Sequence, residues 1–496
     1  MLFRLLINFN ITCLLFTACS SGYRAQPIET PSEALEAAFE DASADPLIAY
    51  TAPMPEEWWG LFYDDQLSCF IQTAFQRNPT IQEARSNILF AVYNADLVRS
   101  SLYPTINWGA DVLRSKFSET GIIPFNMNGQ QTGQPPLVGT GGAAGIPVYF
   151  TQYETEFTLS YDFDIWGKRR SLLSAALGEV QANIADEMFI RLQLGVAIAE
   201  AYYQVQVDYQ RIEIASRQVA IQERVLELTR QRAAAHLDSE TVVNLAEAKL
   251  AEAKQVLYQI LGHMAIAENQ LRAYLAGNFD EMIWDMSIEE RPLPRVPLPG
   301  DLPFHLIAHR PDVISQLWLI ESAGEQIEAA KAGFYPDFSL TGLFGYQTIH
   351  LRKLFEWPSS YYSVDPAVLL PVFDGGKLIA NLRGSEVSYD QAIYEYNQLV
   401  LNAVREVLDG IALLRYNEKQ LSAYHEIFTQ NAKNLELAQL RLNHNLSSEL
   451  DLLNSESSLL KARDQEIGAL GNTLHAILSL IKALGGGYET CMDGDA

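Results

Sequence analysis

The chain has 496 residues, 48% of them hydrophobic and 19% charged, with a formal net charge of −26. That length allows more than one domain, and the apolar share is enough for ordered structure. The acidic excess argues against nucleic acid as a partner.

Arg4 is the only charge ahead of a mostly apolar run over residues 5–18. The run is too short to span a bilayer and fits the core of a signal peptide, so residues 1–18 are expected to be removed. It ends Leu15-Phe16-Thr17-Ala18-Cys19, small residues ahead of a cysteine. This resembles a bacterial lipobox with Phe16 in place of the usual Leu, and it implies a covalent lipid on Cys19. Ser20 resembles the outer-membrane sorting pattern. Beyond the signal only Cys69 and Cys491 join Cys19, near opposite ends of the chain, and they read as unpaired. Residues 19–57 are rich in Pro, Ala, Ser and acids and read as an irregular, lipid-anchored leader. Trp58-Trp59, Phe62, Asp65 and Leu67 open the first ordered element.

Period-2 runs follow. Ile106, Trp108, Ala110 and Val112 alternate with Asn107, Gly109 and Asp111. Phe157, Leu159, Tyr161 and Phe163 alternate with Thr158, Ser160 and Asp162. Between them, residues 118–147 are rich in Gly, Pro, Asn, Gln and Thr and read as a long loop. The spacing predicts a β-hairpin at about 104–164. Phe338, Leu340, Gly342, Phe344 and Tyr346 begin a second hairpin at about 336–371, whose last run, around Tyr361 to Leu370, is weaker. Such alternation over about ten residues with terminal aromatics is the transmembrane β signature.

No proline falls between Pro147 and Pro292, or after Pro371. Proline costs about 3 kcal/mol inside a helix, so these gaps suit very long helices. Val400, Val404, Val407, Ile411 and Leu414 step by fours and threes, a coiled-coil seam, as do Leu192, Val196, Ala199 and Tyr203. Each long segment folds back once, at a tip near 233–241 and another near 442–450. His236 and Asn445 stand where the chain needs a positive φ, and Asp238 or Ser239, and Ser447 or Ser448, suit the next N-cap.

The chain is therefore written twice. Pro79 precedes Tyr103-Pro104 by the interval at which Pro311 precedes Tyr335-Pro336. The run from Leu226 to Leu250 recurs from Leu435 to Leu459, with Ser239-Glu240 matched by Ser448-Glu449. We place the first repeat at 58–292, the second at 300–488 and a tail at 489–496. A duplication of roughly 200 residues is too long for a short-period solenoid. Two hairpins give four strands, too few to close a barrel, so a barrel must be shared between chains. Eight strands would be filled by side chains, whereas twelve leave a bore.

The ordered motifs Trp58-Trp59, Asn78-Pro79, Leu102-Tyr103-Pro104, Phe163-Asp164-Ile165-Trp166-Gly167-Lys168, Arg310-Pro311-Asp312, Phe334-Tyr335-Pro336, Phe373-Asp374-Gly375-Gly376-Lys377 and Lys482-Ala483-Leu484-Gly485-Gly486-Gly487-Tyr488 run through nearly the whole mature chain. In this order they resemble a TolC-like outer-membrane factor of the efflux lipoprotein (NodT-type) kind. The resemblance implies a mixed α/β membrane protein: a homotrimer with a twelve-stranded barrel in outer-membrane lipid, continued by a helical coiled-coil tunnel in the periplasm. It implies a periplasmic adaptor and an inner-membrane transporter as partners, and export of small molecules such as drugs or other toxic compounds. It places adaptor contacts at Leu237, Ser239, Glu240, Leu446, Ser448 and Glu449. It places a periplasmic gate at Leu450 and Asn454, the latter where the family often has Asp. Asp451 is either the charge of that gate or the capping-box acid of Ser448.

No catalytic or metal residue and no cofactor are expected beyond the lipid on Cys19, and the chain reads as no enzyme. Gly375-Gly376-Lys377 lacks the phosphate-loop pattern, His425-Glu426 lacks a second histidine at zinc-protease spacing, and His305 with His309 lacks a near third ligand.

Overall fold

The computed structural model describes residues 47–49, 54–116, 149–277, 293–297 and 309–487. The signal segment, Cys19 with most of its leader, the loop 118–147, His305, Cys491 and the tail 489–496 lie outside the described residues. The chain divides into two compact units, one of residues 1–91, 179–320 and 390–496, the other of residues 92–178 and 321–389.

The first unit is built from helices, four of which have their remaining turns in the second unit. A 3-10 turn, Trp58–Phe62, leads into α1 (Asp65–Arg77) and α2 (Pro79–Ser100). The long helices α3 (Lys168–Ala234) and α4 (Glu240–Tyr274) form the first helical hairpin. After α5 (Pro311–Ala332), α6 (Lys377–Asn443) and α7 (Glu449–Ala483) form the second. Helices α3 and α6 have 67 residues each, about 100 Å at 1.5 Å per residue. A short parallel pair, β1 (Ile48–Ala49) with β4 (Val296–Pro297), completes the unit. No described helix is long and apolar enough to cross a membrane.

The seams expected from the heptad steps face inward: Val400, Val407, Ile411 and Leu414 are buried and Val404 is half-buried, and Leu192, Val196, Ala199 and Tyr203 are buried. Polar residues fix the helix starts. Asp64 accepts hydrogen bonds from the amides of Gln66 (3.0 Å) and Leu67 (3.1 Å). It also accepts one from the Tyr202 hydroxyl at 3.0 Å, so one buried carboxylate both starts α1 and seats it on α3. Asn78 accepts from the Thr80 amide at 2.8 Å and donates to the Tyr274 carbonyl at 2.9 Å. Pro79 and Pro311 open α2 and α5, where a missing N–H costs nothing.

The second unit holds one four-stranded antiparallel sheet, ordered β2 (Thr105–Lys116), β3 (Tyr149–Phe163), β5 (Asp337–Thr348), β6 (Ser360–Leu369). The register puts Trp108 beside Phe157, Phe157 beside Phe344, and Phe344 beside Tyr362 on one face. Asp111, Glu154, Glu156, Asp162 and Asp365 fall on the other. Strands β2 and β6 are the edges, and β6 carries Pro366, which an edge tolerates. On the polar face the single Tyr361 hydroxyl proton is shared between Glu154 and, at 2.7 Å, Glu156. Its register partner is Gly345, where an added Cβ would meet the Thr155 carbonyl at 2.6 Å and the Glu156 Cβ at 2.8 Å.

The recurring aspartates at the strand-to-helix junctions are N-terminal caps. Asp164 accepts from the amides of Arg169 and Arg170, each at 3.0 Å, across the positive-φ Gly167. Asp374 accepts from Leu378 (2.8 Å) and Gly376 (3.0 Å), and those amides hold its carboxyl below the usual range. Thus Gly375-Gly376-Lys377 serves a helix start. Trp166 stacks on Tyr335 at 4.7 Å and donates to the Pro336 carbonyl, joining the junctions of the two repeats.

Candidate functional site

The two helical tips are built alike. His236 (φ 58°) and Asn445 (φ 56°) take the left-handed conformation. Leu237 donates to the Arg232 carbonyl at 2.9 Å and His236 to that of Ala233. Leu446 donates to Arg441 at 2.8 Å and Asn445 to Leu442. Both pairs form the Schellman pattern that closes a helix C-terminus. The residue after the left-handed position is a leucine in each tip, and neither is covered: Leu237 is 68% exposed and Leu446 76%.

The returning helices begin at Ser239 and Ser448, in the same extended conformation, but the caps differ. Ser448 and Asp451 form a reciprocal capping box: the Asp451 amide donates to Ser448 Oγ at 3.3 Å and the Ser448 amide to Asp451 Oδ2 at 2.9 Å. The Ser448 backbone and hydroxyl hold the Asp451 carboxyl below its ordinary range. Ser239 makes no side-chain cap bond, and Asp238 is turned to Arg232 at 2.8 Å. Of the two uses open to Asp451, the geometry shows the capping box.

Charges stitch the first repeat to the second along α3 and α7. The Arg224 fork binds Glu449 at 2.9 and 3.2 Å, and its other nitrogen reaches Glu227. Higher up, Arg211 binds Asp464 at 2.8 and 3.2 Å, and Gln218 donates to Ser457 at 2.6 Å. Apart from Glu449, these side chains escaped the sequence reading. Beside the first tip, a cavity of about 290 Å³ is lined by Leu228, Arg232, Leu237, Ser448, Glu449 and Leu450, among others. The structure therefore brings Leu237, Ser448, Glu449 and Leu450 together. Ser239, Glu240, Leu446 and Asn454 are exposed and do not line the cavity.

The sheet offers a second surface. Trp108, Ile106, Val112, Val364 and Val368 are all exposed in the single chain, on the apolar face, and the outer edges of β2 and β6 are unpaired among the described residues.

Comparison with known proteins extends these observations. The profile of the outer membrane efflux protein family matches residues 70–277 and 302–486. The chain is 28% identical over 441 residues to the multidrug resistance outer membrane protein MdtP of Shigella flexneri, covering 87% of this chain and 86% of that one. It is similar to the outer membrane protein VceC of Vibrio cholerae at 27% identity and a TM-score of 0.72, over 88% of this chain and 100% of that one. The Campylobacter jejuni CmeC outer membrane channel shares the fold, with a TM-score of 0.80 at 18% identity over 95% and 96% of the two chains.

Proposed function

This chain belongs to the outer membrane efflux protein family, and we propose that three copies of it close into a twelve-stranded barrel, the exit duct of a tripartite export assembly. The observation that carries this reading is the sheet: four strands, one apolar face and two edges unpaired among the described residues. An open edge is untenable in hydrocarbon, so β6 of one copy must pair with β2 of the next. Twelve strands leave an aqueous bore, and the face bearing Asp111, Glu154, Glu156 and Asp365 lines it. Carboxylate rings there favour cations. Helices α3 and α6 extend the duct into the periplasm.

At the tips, Leu237, Ser239 and Glu240 with Leu446, Ser448 and Glu449 receive a periplasmic adaptor, which couples the duct to an inner-membrane transporter. Leu450, Asp451 and Asn454 stand at the periplasmic constriction. Cys19 carries the lipid that holds the leader in the outer membrane. The cargo is small molecules, drugs among them, in keeping with multidrug resistance relatives such as MdtP. The chain performs no chemical step.

Single-channel recording tests this reading. Purified protein added to a planar bilayer is expected to insert in discrete conductance steps. The Arg224→Ala variant, freed of the Glu449 tie, is expected to conduct at least as well. No steps from either protein would overturn the duct.

A further inference from the structure

The apolar face of the sheet carries charge in one place. Following the register across all four strands, the face that bears Trp108, Phe157 and Phe344 has two charged side chains among the described residues, Arg114 and Lys116. They stand two residues apart at the end of β2 remote from the helices, opposite Thr151 and Tyr149. Both are exposed, and neither enters an ion pair among the described residues. The nearby carboxylates Asp111, Glu154 and Glu156 all take the opposite face. The Lys116 ammonium lies 5.3 Å from the centre of the Tyr149 ring, which holds it over the strand end.

Height fixes what these cations meet. From Ile106 to Lys116 the strand climbs about 34 Å at 3.4 Å per residue. At the usual barrel tilt that is about 25 Å along the membrane normal, the height of an apolar band. With Ile106 at the inner margin of the hydrocarbon, Lys116 reaches the outer headgroups and Arg114 lies about 5 Å beneath. A guanidinium presents a fork that matches phosphate oxygens, and an ammonium beside it adds a second charge. In a chain of net charge −26, two cations that form no ion pair among the described residues, on a face whose other described residues are uncharged, call for an anion from outside.

We propose that Arg114 and Lys116 form a binding site for the phosphate groups of the glycolipid in the outer leaflet, one site per protomer. The proposal rests on the reading that this sheet spans the outer membrane. The competing role is plain snorkelling to water, which has no preference for phosphate.

The test uses the purified full-length assembly in mild detergent, with bisphosphoryl lipid A, monophosphoryl lipid A, phosphatidylcholine or inorganic phosphate as the probe. Bisphosphoryl lipid A is expected to raise the apparent Tm of the parent by about 3–5 °C. Monophosphoryl lipid A should do less, and the other two nothing. Arg114→Gln/Lys116→Gln should lose that increment, and the charge-keeping Arg114→Lys/Lys116→Arg should retain most of it. An equal lipid A shift in the Gln variant, or the full shift from inorganic phosphate, overturns the site. Bilayer conductance of the same samples separates the causes. A conducting parent without a lipid A shift sinks this proposal alone, whereas a parent that never conducts sinks the duct itself.

Discussion

Replacing Leu237 and Leu446 together with serine is expected to abolish export, returning cells to the drug susceptibility of a strain lacking the protein, at normal protein levels. Each leucine follows a left-handed residue that closes its helix, so the backbone holds the side chain outward with little freedom to fold back. A partner that covers such a side chain gains roughly 1.5–3 kcal/mol from each, and a trimer presents both leucines three times. Serine keeps the turn and removes the apolar contact. The flanking cap residues supply the controls. Ser448→Ala breaks a capping box and costs about 1 kcal/mol locally, whereas Ser239→Ala removes no cap bond and should be neutral. Both should leave the tip folded, so a loss of export from either reports the adaptor contact rather than the turn. The cap also survives mild acid. The folded Asp451 carboxyl is held low, so its contribution is complete above the unfolded carboxylate value and fades only as pH falls through the lower folded one. Unchanged export by the double leucine variant would refute docking at these tips.

The largest expected effect on stability comes from Arg310→Ala. Arg310 is 3% exposed and joins three helices. Its guanidinium binds Asp312 at 3.1 and 2.8 Å, Glu406 at 2.8 Å and the carbonyl of Ala483 at 3.0 Å. Alanine strands the Asp312 carboxylate, which is itself nearly covered, and frees the end of α7. Breaking a buried pair from one side costs about 3–5 kcal/mol. Lysine should recover little, because it lacks the fork that spans Asp312 and Glu406. The adjoining glycines make the packing tight: a Cβ on Gly485, at φ 86°, would sit 3.1 Å from the Arg310 Cα. Denaturant unfolding of the purified protein checks this. A loss below 1 kcal/mol for Arg310→Ala would contradict the clamp.

The long helices were legible because proline punctuates sharply and the seams repeat. The tips were legible because His236 and Asn445 suit a positive φ. Alternation marked β2, β3 and β5, while β6 was faint, since Pro366 interrupts the run of its apolar-face positions. The cap at the first tip was ambiguous because Asp238 and Ser239 both suit it; the structure diverts Asp238 to Arg232. What the sequence hid was long-range pairing. Arg224 with Glu449 lies 225 residues apart and Arg211 with Asp464 253 apart, and no local pattern announces such partners. Asp164 and Asp374 were visible within the motifs that carry the family resemblance, yet their service as helix caps emerged only from the amides they bind.

The central claim is that one chain supplies four strands of a twelve-stranded wall. The mass of the intact assembly, measured by native mass spectrometry from detergent, tests it most directly. Three chains are predicted, with no stable smaller species under mild release. A stable monomer or dimer as the sole species would leave the edges of β2 and β6 unmatched and contradict the shared barrel.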